Sequence, residues 1–212
     1  MVSSLEIYDL ASGRAQVVLQ SELRIEAPNW DPSGANLLVN AEGRLYRVPL
    51  HRPQLIPVAT GAAIRCNNDH GISPDGRWIV LTSHHEMQGA QIYKVPARGG
   101  EPVKISPQAP SWFHGWSPDG KRLAYVAARG GSRILDVYTI GVDGGAEQRL
   151  TMGEGQCDGP DYSADGARIY YNCDRGGHAQ IWGMAVDGVD QRQIFADDHV
   201  NWFPHPSPDG AH

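Results

Sequence analysis

Short apolar runs recur along the chain, each bounded by glycine, proline, serine or aspartate. Four of them stand at equivalent places: Asn36-Leu37-Leu38-Val39, Trp78-Ile79-Val80-Leu81, Arg122-Leu123-Ala124-Tyr125-Val126 and Arg168-Ile169-Tyr170-Tyr171. Aliphatic, β-branched and aromatic runs of this length, closed by turn residues, predict buried strands. A second set follows each of them: Leu45-Tyr46-Arg47-Val48, Gln91-Ile92-Tyr93-Lys94-Val95, Val137-Tyr138-Thr139-Ile140 and Gln180-Ile181-Trp182-Gly183-Met184. A shorter set closes each unit, at Leu55–Val58, Pro102–Ile105, Gln148–Leu150 and Arg192–Phe195. The chain opens in mid-pattern, with Leu5–Leu10 and Gln16–Leu19 reading as a third and a fourth strand. No amphipathic segment long enough for a helical repeat lies between the breakers.

The breakers are themselves periodic. Asp31-Pro32-Ser33-Gly34, Ser73-Pro74-Asp75-Gly76, Ser117-Pro118-Asp119-Gly120, Ser163-Ala164-Asp165-Gly166 and Ser207-Pro208-Asp209-Gly210 are five copies of one tetrapeptide, their glycines 42, 44, 46 and 44 residues apart. Ser or Asp, then Pro, then Gly at the fourth place suits a type I turn, with Gly free to take the left-handed conformation that ends the hairpin. Each copy therefore joins two antiparallel strands. Four strands in about 44 residues is the arithmetic of a β-propeller blade. The expected fold is all-β: a propeller of four-stranded antiparallel blades at about 21–60, 61–106, 107–152 and 153–196, with partial blades at 1–20 and 197–212.

The unit Ser117-Pro118-Asp119-Gly120-Lys121-Arg122-Leu123-Ala124-Tyr125, followed by Val137-Tyr138-Thr139-Ile140 and Asp143-Gly144-Gly145, resembles the TolB-type β-propeller repeat. The same repeat occurs in propeller domains of prolyl-oligopeptidase-like enzymes and of some polysaccharide lyases. The resemblance runs essentially from end to end. It implies a six-bladed parent, of which four blades and an incomplete fifth are present here, and it implies a protein partner and a periplasmic relative. A truncated piece or open four-blade arc is expected, with a compact five-blade ring as the alternative.

Composition narrows the function. Of 212 residues, 25 are Gly and 15 Pro, and 41% are hydrophobic, enough for a sizeable core. The net charge of −6, without a basic cluster, excludes a nucleic-acid surface. No apolar run reaches the roughly 18 residues that a membrane span needs, so no membrane insertion is expected. Met1–Leu10 carries no basic-then-apolar leader, which predicts a cytoplasmic place, or a periplasmic one if the natural chain starts earlier. Three cysteines are expected as reduced thiols, although Cys157 and Cys173 fall opposite each other on the two arms of one hairpin.

Candidate chemistry gathers where the first strand of each blade starts, which in propellers lines the mouth of the central funnel. Eight residues before each turn glycine stand Glu26, Asn68, Trp112, Asp158 and Trp202. Six before stand Pro28, His70, His114, Pro160 and Pro204, and four before stand Trp30, Ile72, Trp116, Tyr162 and Pro206, the last set reading as blade core. The densest polar patch is Asn67-Asn68-Asp69-His70; His114, Asp158 and Asp161 are expected on the neighbouring blades. Such groups either satisfy backbone around a wet channel or hold a divalent ion. Two Trp-Phe pairs, Trp112-Phe113 and Trp202-Phe203, suit stacking on a sugar or peptide, or packing between blades. His84-His85-Glu86 falls in a surface connection. No nucleophile elbow, phosphate loop, dinucleotide fingerprint, HExxH or paired-cysteine spacing occurs, so no catalytic residue, cofactor or metal is assigned.

The resulting expectation is a non-catalytic propeller that binds a protein partner, or a small-molecule or oligosaccharide ligand, through its funnel. Its contact residues are Glu26, Asn68, Asp69, His70, Trp112, His114, Asp158, Asp161, Trp202 and His205. Two alternatives stand beside it. One is a metal-assisted polysaccharide lyase or hydrolase using His70, His114 and His205; the other is a propeller severed from a peptidase domain.

Overall fold

The computed structural model describes residues 2–85 and 87–212, so Glu86 of the His84-His85-Glu86 connection lies outside the described residues. Every regular element in it is a β-strand. A two-stranded sheet comes first, β1 (Ser3–Asp9) with β2 (Arg14–Ser21). Four sheets of four strands follow: β3 (Glu26–Trp30), β4 (Asn36–Ala41), β5 (Arg44–Pro49) and β6 (Ile56–Pro57); then β7 (Cys66–Ile72), β8 (Trp78–His85), β9 (Gly89–Pro96) and β10 (Val103–Lys104). The last two are β11 (Ser111–Trp116), β12 (Arg122–Ala127), β13 (Asp136–Gly141) and β14 (Gly144–Arg149); and β15 (Cys157–Tyr162), β16 (Arg168–Cys173), β17 (Gln180–Ala185) and β18 (Arg192–Phe195). Strands neighbour one another in chain order within each sheet, as consecutive hairpins require.

The repeated tetrapeptide builds the first hairpin of each sheet. In the four Ser-first copies the glycine N–H donates to the serine carbonyl at 2.8–2.9 Å, and the glycines take φ of +68° to +72°. The serine hydroxyl does two jobs. It donates to the aspartate carboxylate (2.6 Å for Ser73–Asp75, 2.7 Å for Ser117–Asp119) and accepts the N–H five residues on, at 3.0 Å from Trp78 and 2.9 Å from Arg122. These bonds hold the aspartates below the ordinary carboxylate range; at Asp75 the Ser73 hydroxyl, the Arg77 N–H and the Arg77 side chain bring the value to about 2. The motif is therefore turn architecture, fully occupied by its own hydrogen bonds.

The chain forms two compact units, Met1–His84 with Tyr93–Val103 and His85–Ile92 with Lys104–His212. In the first, Leu38 and Leu45 pack against Cys66, Ile79, Leu81 and Val95, while Leu5 of β1 closes over Leu37, Val39 and Val48. In the second, Ala124, Val126, Val137 and Leu150 face Tyr162, Ile169, Tyr171 and Met184. Burying each such aliphatic or aromatic side chain contributes roughly 1.5–3 kcal/mol, which is what makes two twisted sheets adhere face to face.

Three expectations are corrected. Cys157 and Cys173 sit opposite each other in the β15–β16 ladder with Cα atoms 4.1 Å apart, and they are joined as a disulfide. Facing positions of an antiparallel pair bring the side chains within bonding reach, so the reduced state holds only for Cys66, whose buried thiol is pushed up to about 12. Residues 200–206 form no strand, because no ladder partner lies beside them. Trp30, expected in the core, is 52% exposed; the cover that β1 supplies through Leu5 falls on Leu37, Val39 and Val48 instead.

Candidate functional site

Each first strand breaks register in its upper half. The ladder slips between Glu26 and Asn29, Cys66 and His70, Phe113 and Gly115, and Asp158 and Asp161. A bulge of this kind re-aims the side chains around it. Ala27 holds left-handed backbone there (φ 47°) and Gly159 takes φ +56° at the equivalent place, while Phe203 does the same outside any strand (φ 50°). Non-glycine residues in that region are strained and need support from their surroundings.

In the first unit the bulge turns the chemistry inward. His70 is 4% exposed and neither ring nitrogen makes a well-formed hydrogen bond. Burial pushes its pKa down to about 4, against partial opposition from the backbone of Leu38, Asn67, Ala27 and Asn68, so the imidazole is neutral at physiological pH. Its carbonyl accepts the Asn29 side-chain N–H at 3.1 Å. Asn67 donates to Asp69, closing the polar patch on itself, and Asn68 faces solvent. Glu26 pairs with the exposed Arg24 at 2.8 Å.

The second unit gathers the other candidates. His114 Nε2 lies 3.0 Å from Asp158 Oδ1, both side chains largely buried. The His114 ring stacks on Phe203 (centroids 5.6 Å, planes 29° apart), and Phe203 touches Trp202 at 5.8 Å. The Phe203 N–H donates to Asn172 Oδ1 at 3.1 Å, which holds its left-handed backbone in place. Gly159 lies beneath: a Cβ there would come within 3.0 Å of the Phe203 Cα. Asp161 accepts the Tyr162 N–H at 2.9 Å and pairs with His205 Nδ1 at 3.1 Å. Gly115 permits this approach, since a Cβ on it would lie 2.9 Å from the Asp161 Cα. Trp202 and Phe203 remain 54% and 43% exposed, and His205 is also on the surface. Trp112 instead packs half-buried against the core. Among the described residues no three His, Cys, Asp or Glu side chains converge as a metal centre would require.

Residues 107–212 match the family model described as the TolB beta propeller domain. The chain is 46% identical over 211 residues to the uncharacterized protein Atu1656 of Agrobacterium fabrum, covering 99% of this chain and 71% of that one. The chain belongs to the TolB β-propeller family. It is also similar, at 32% identity over 200 residues, to the Tol-Pal system protein TolB of an Anaeromyxobacter species, covering 94% of this chain and 40% of that one. A solved structure of a TolB candidate from Agrobacterium tumefaciens superposes with a TM-score of 0.94 at 46% identity, covering 98% of this chain and 74% of that one. The four-stranded sheets are accordingly the blades of a TolB-like propeller.

Within this TolB-like frame, the sequence pointed to His114, Asp158, Asp161, Trp202 and His205, and the structure brings these five into one neighbourhood of the second unit through Phe203 and the β15 bulge. It missed Asn172, Gly159 and Gly115. Asn172 did leave a signal, a polar residue closing the apolar run Ile169-Tyr170-Tyr171 and found fully buried.

Proposed function

We propose that this TolB-like chain is a non-catalytic binding module, contacting a protein partner or small ligand through the surface formed by Trp202, Phe203, Asp161 and His205. The observation that carries the reading is the pair of exposed aromatic side chains, fixed from below by Asn172 and His114 and flanked by the Asp161–His205 pair. Rigid, amphipathic rings beside charge are what binding surfaces use to gain contact area at small entropic cost. Likeness to a Tol-Pal system protein favours a protein partner over a sugar. The buried disulfide favours an oxidising compartment over the cytoplasm. The lyase alternative draws no support from His70, which is buried and has no cluster of further ligands around it among the described residues.

The test is a fluorescence titration of the intact chain with defined probes: lysine-rich, neutral and glutamate-rich peptides, and neutral oligosaccharides. Saturable quenching by one peptide class, weakened at least tenfold by Trp202→Ala, is the expected result. Binding that is insensitive to both Trp202→Ala and Asp161→Asn places the contact surface elsewhere and ends this reading.

A further inference from the structure

Two neighbouring blades hold the same arginine in different ways. Arg129 and Arg175 both stand nine residues past their turn glycines, Gly120 and Gly166, and each lies over a third-strand aromatic ring, Tyr138 or Trp182. Tyr125 and Tyr171, five residues past those glycines, pair with Tyr138 and Trp182 in their ladders, so the four positions correspond. The fourth strands differ. Three residues past Gly144 stands Glu147, and three past Gly188 stands Gln191.

That exchange removes the internal counter-charge. Arg129 Nε and Nη2 donate to the largely buried Glu147 carboxylate, and its other bonds reach the Pro110 carbonyl and Ser111 Oγ. Gln191 carries no charge and its amide is already engaged: Oε1 accepts the Tyr171 hydroxyl at 3.1 Å, and Nε2 donates to the carbonyls of Leu150 and Gly188 at 2.9 and 3.0 Å. Arg175 Nη2 donates to the Tyr171 hydroxyl. Arg175 Nε, whose counterpart meets Glu147 in the preceding blade, is buried with no acceptor among the described residues, and so is Nε1 of the Trp182 indole on which the guanidinium stacks. Buried donors are normally paired, so the cation here is incompletely compensated.

Its counter-ion comes from outside the sheet. Glu154, in the connection between β14 and β15, places Oε2 2.7 Å from Arg175 Nη1. The Glu154 side chain is 50% exposed, against 16% for Arg175. The connection is pinned on both sides of Glu154, by Gly153 N–H to Asp136 at 2.8 Å and Gln156 N–H to Asp174 at 2.7 Å. Gly155 lies so close that a Cβ on it would stand 3.0 Å from Arg175 Cα. The Glu154 side chain can therefore rotate into solvent while the backbone stays in place. An ion pair with a half-exposed partner is weak and exchanges readily, whereas a planar guanidinium held by stacking suits a carboxylate that brings two bonds.

We infer that Arg175, set by Trp182 and Tyr171, is a carboxylate-binding site that Glu154 occupies in the free chain and yields to an acidic group of a peptide ligand. One guanidinium takes one carboxylate, and the net charge of −6 disfavours an extended polyanion. A glutamate side chain and a free peptide C-terminus share this chemistry. The site uses none of the residues of the Trp202–Phe203 surface, so it stands or falls independently of that surface.

The experiment follows the Arg175 Nε–H and Trp182 indole N–H resonances of the isotope-labelled intact chain during titration with three probes. These are sodium acetate, a glutamate-containing peptide blocked at both ends, and an alanine peptide with only its C-terminus free. Arg175→Lys and Trp182→Phe assign the two signals. Saturable shifts of both are expected, and the peptide that produces them identifies the source of the carboxylate. Glu154→Gln, a change at a half-exposed side chain, should lower the apparent Kd by about fivefold or more. Glu22→Gln removes the same charge from an exposed glutamate of the first unit and should change the Kd by less than about twofold. Adding Arg175→Lys to Glu154→Gln keeps the charge but not the fork, and should weaken binding by about tenfold or more, read at the Trp182 signal. Equal effects of Glu154→Gln and Glu22→Gln overturn the inference. So does undiminished binding in the double variant, a response to acetate but to neither peptide, or a Glu154→Gln chain in which neither resonance moves.

Discussion

Arg129 shows how much one side chain organises in this fold. Its guanidinium grips the Glu147 carboxylate with two bonds of 2.7 and 2.8 Å, donates to the Pro110 carbonyl at 2.7 Å and to Ser111 Oγ at 2.8 Å, and lies over the Tyr138 ring. Glu147 in turn accepts the hydroxyl of fully buried Tyr125 at 2.6 Å. The Arg129 bond holds the Glu147 carboxyl below its ordinary range, and burial followed by the Glu147 contact pushes the Tyr125 phenol up. Removing the cation strands a carboxylate that is only 17% exposed. Arg129→Ala is expected to cost about 3–4 kcal/mol, a Tm loss of roughly 6–16 °C by calorimetry. Adding Glu147→Gln should restore part of that loss, since the stranded charge is then gone. A loss below about 1 kcal/mol would show that the network contributes little. Nothing in the sequence announced this pair, because its members stand 18 residues apart and the next blade keeps only the arginine, as Arg175, with Gln191 in place of the glutamate.

At the scale of elements, the strands were legible and their upper ends were not. Turn residues and apolar runs predict each hairpin because they act locally, through φ preference and burial. The bulges at Ala27, Gly159 and their equivalents depend on how the first strand meets its neighbours, and no local residue preference encodes them. The disulfide lies between these cases. Antiparallel register placed Cys157 opposite Cys173, but only the ladder itself brings the two Cα atoms to 4.1 Å. Closing a loop over a sequence separation of 16 residues is worth about 3 kcal/mol through the unfolded chain. The paired change Cys157→Ser with Cys173→Ser should therefore lower Tm by roughly 6–12 °C. Thiol titration in denaturant should find one reactive group per chain, Cys66, and three after reduction. Three before reduction would refute the bond.

Across the whole molecule, titration should appear as acid lability in two windows. His70 has a folded pKa of about 4, below its ordinary value near 6.5, so the unfolded chain takes up a proton first as pH falls. Its contribution is intact above about pH 6.5 and is lost toward pH 4. The turn aspartates, Asp75 at about 2 and Asp119, Asp165 and Asp209 also lowered by their serine hydroxyls, contribute above pH 4 and lose that contribution as pH falls toward 2. Urea midpoints measured from pH 8 to pH 3 should decline in both windows. A midpoint that stays level between pH 6.5 and 4.5 would rule out a neutral, buried His70.

The four strands of each complete blade, the repeat period and the turn chemistry were determined by the sequence alone, since each rests on short-range sterics and on burial patterns a few residues long. The same holds for membership of a propeller class, because five turns about 44 residues apart leave few other ways to arrange the strands. Only the tertiary structure decided that His70 turns inward while Trp202 and Phe203 stay exposed, and that Asn172 and His114 support Phe203. Those outcomes depend on which side chains meet across strands distant in sequence, where desolvation and hydrogen bonding are settled by packing rather than by residue type.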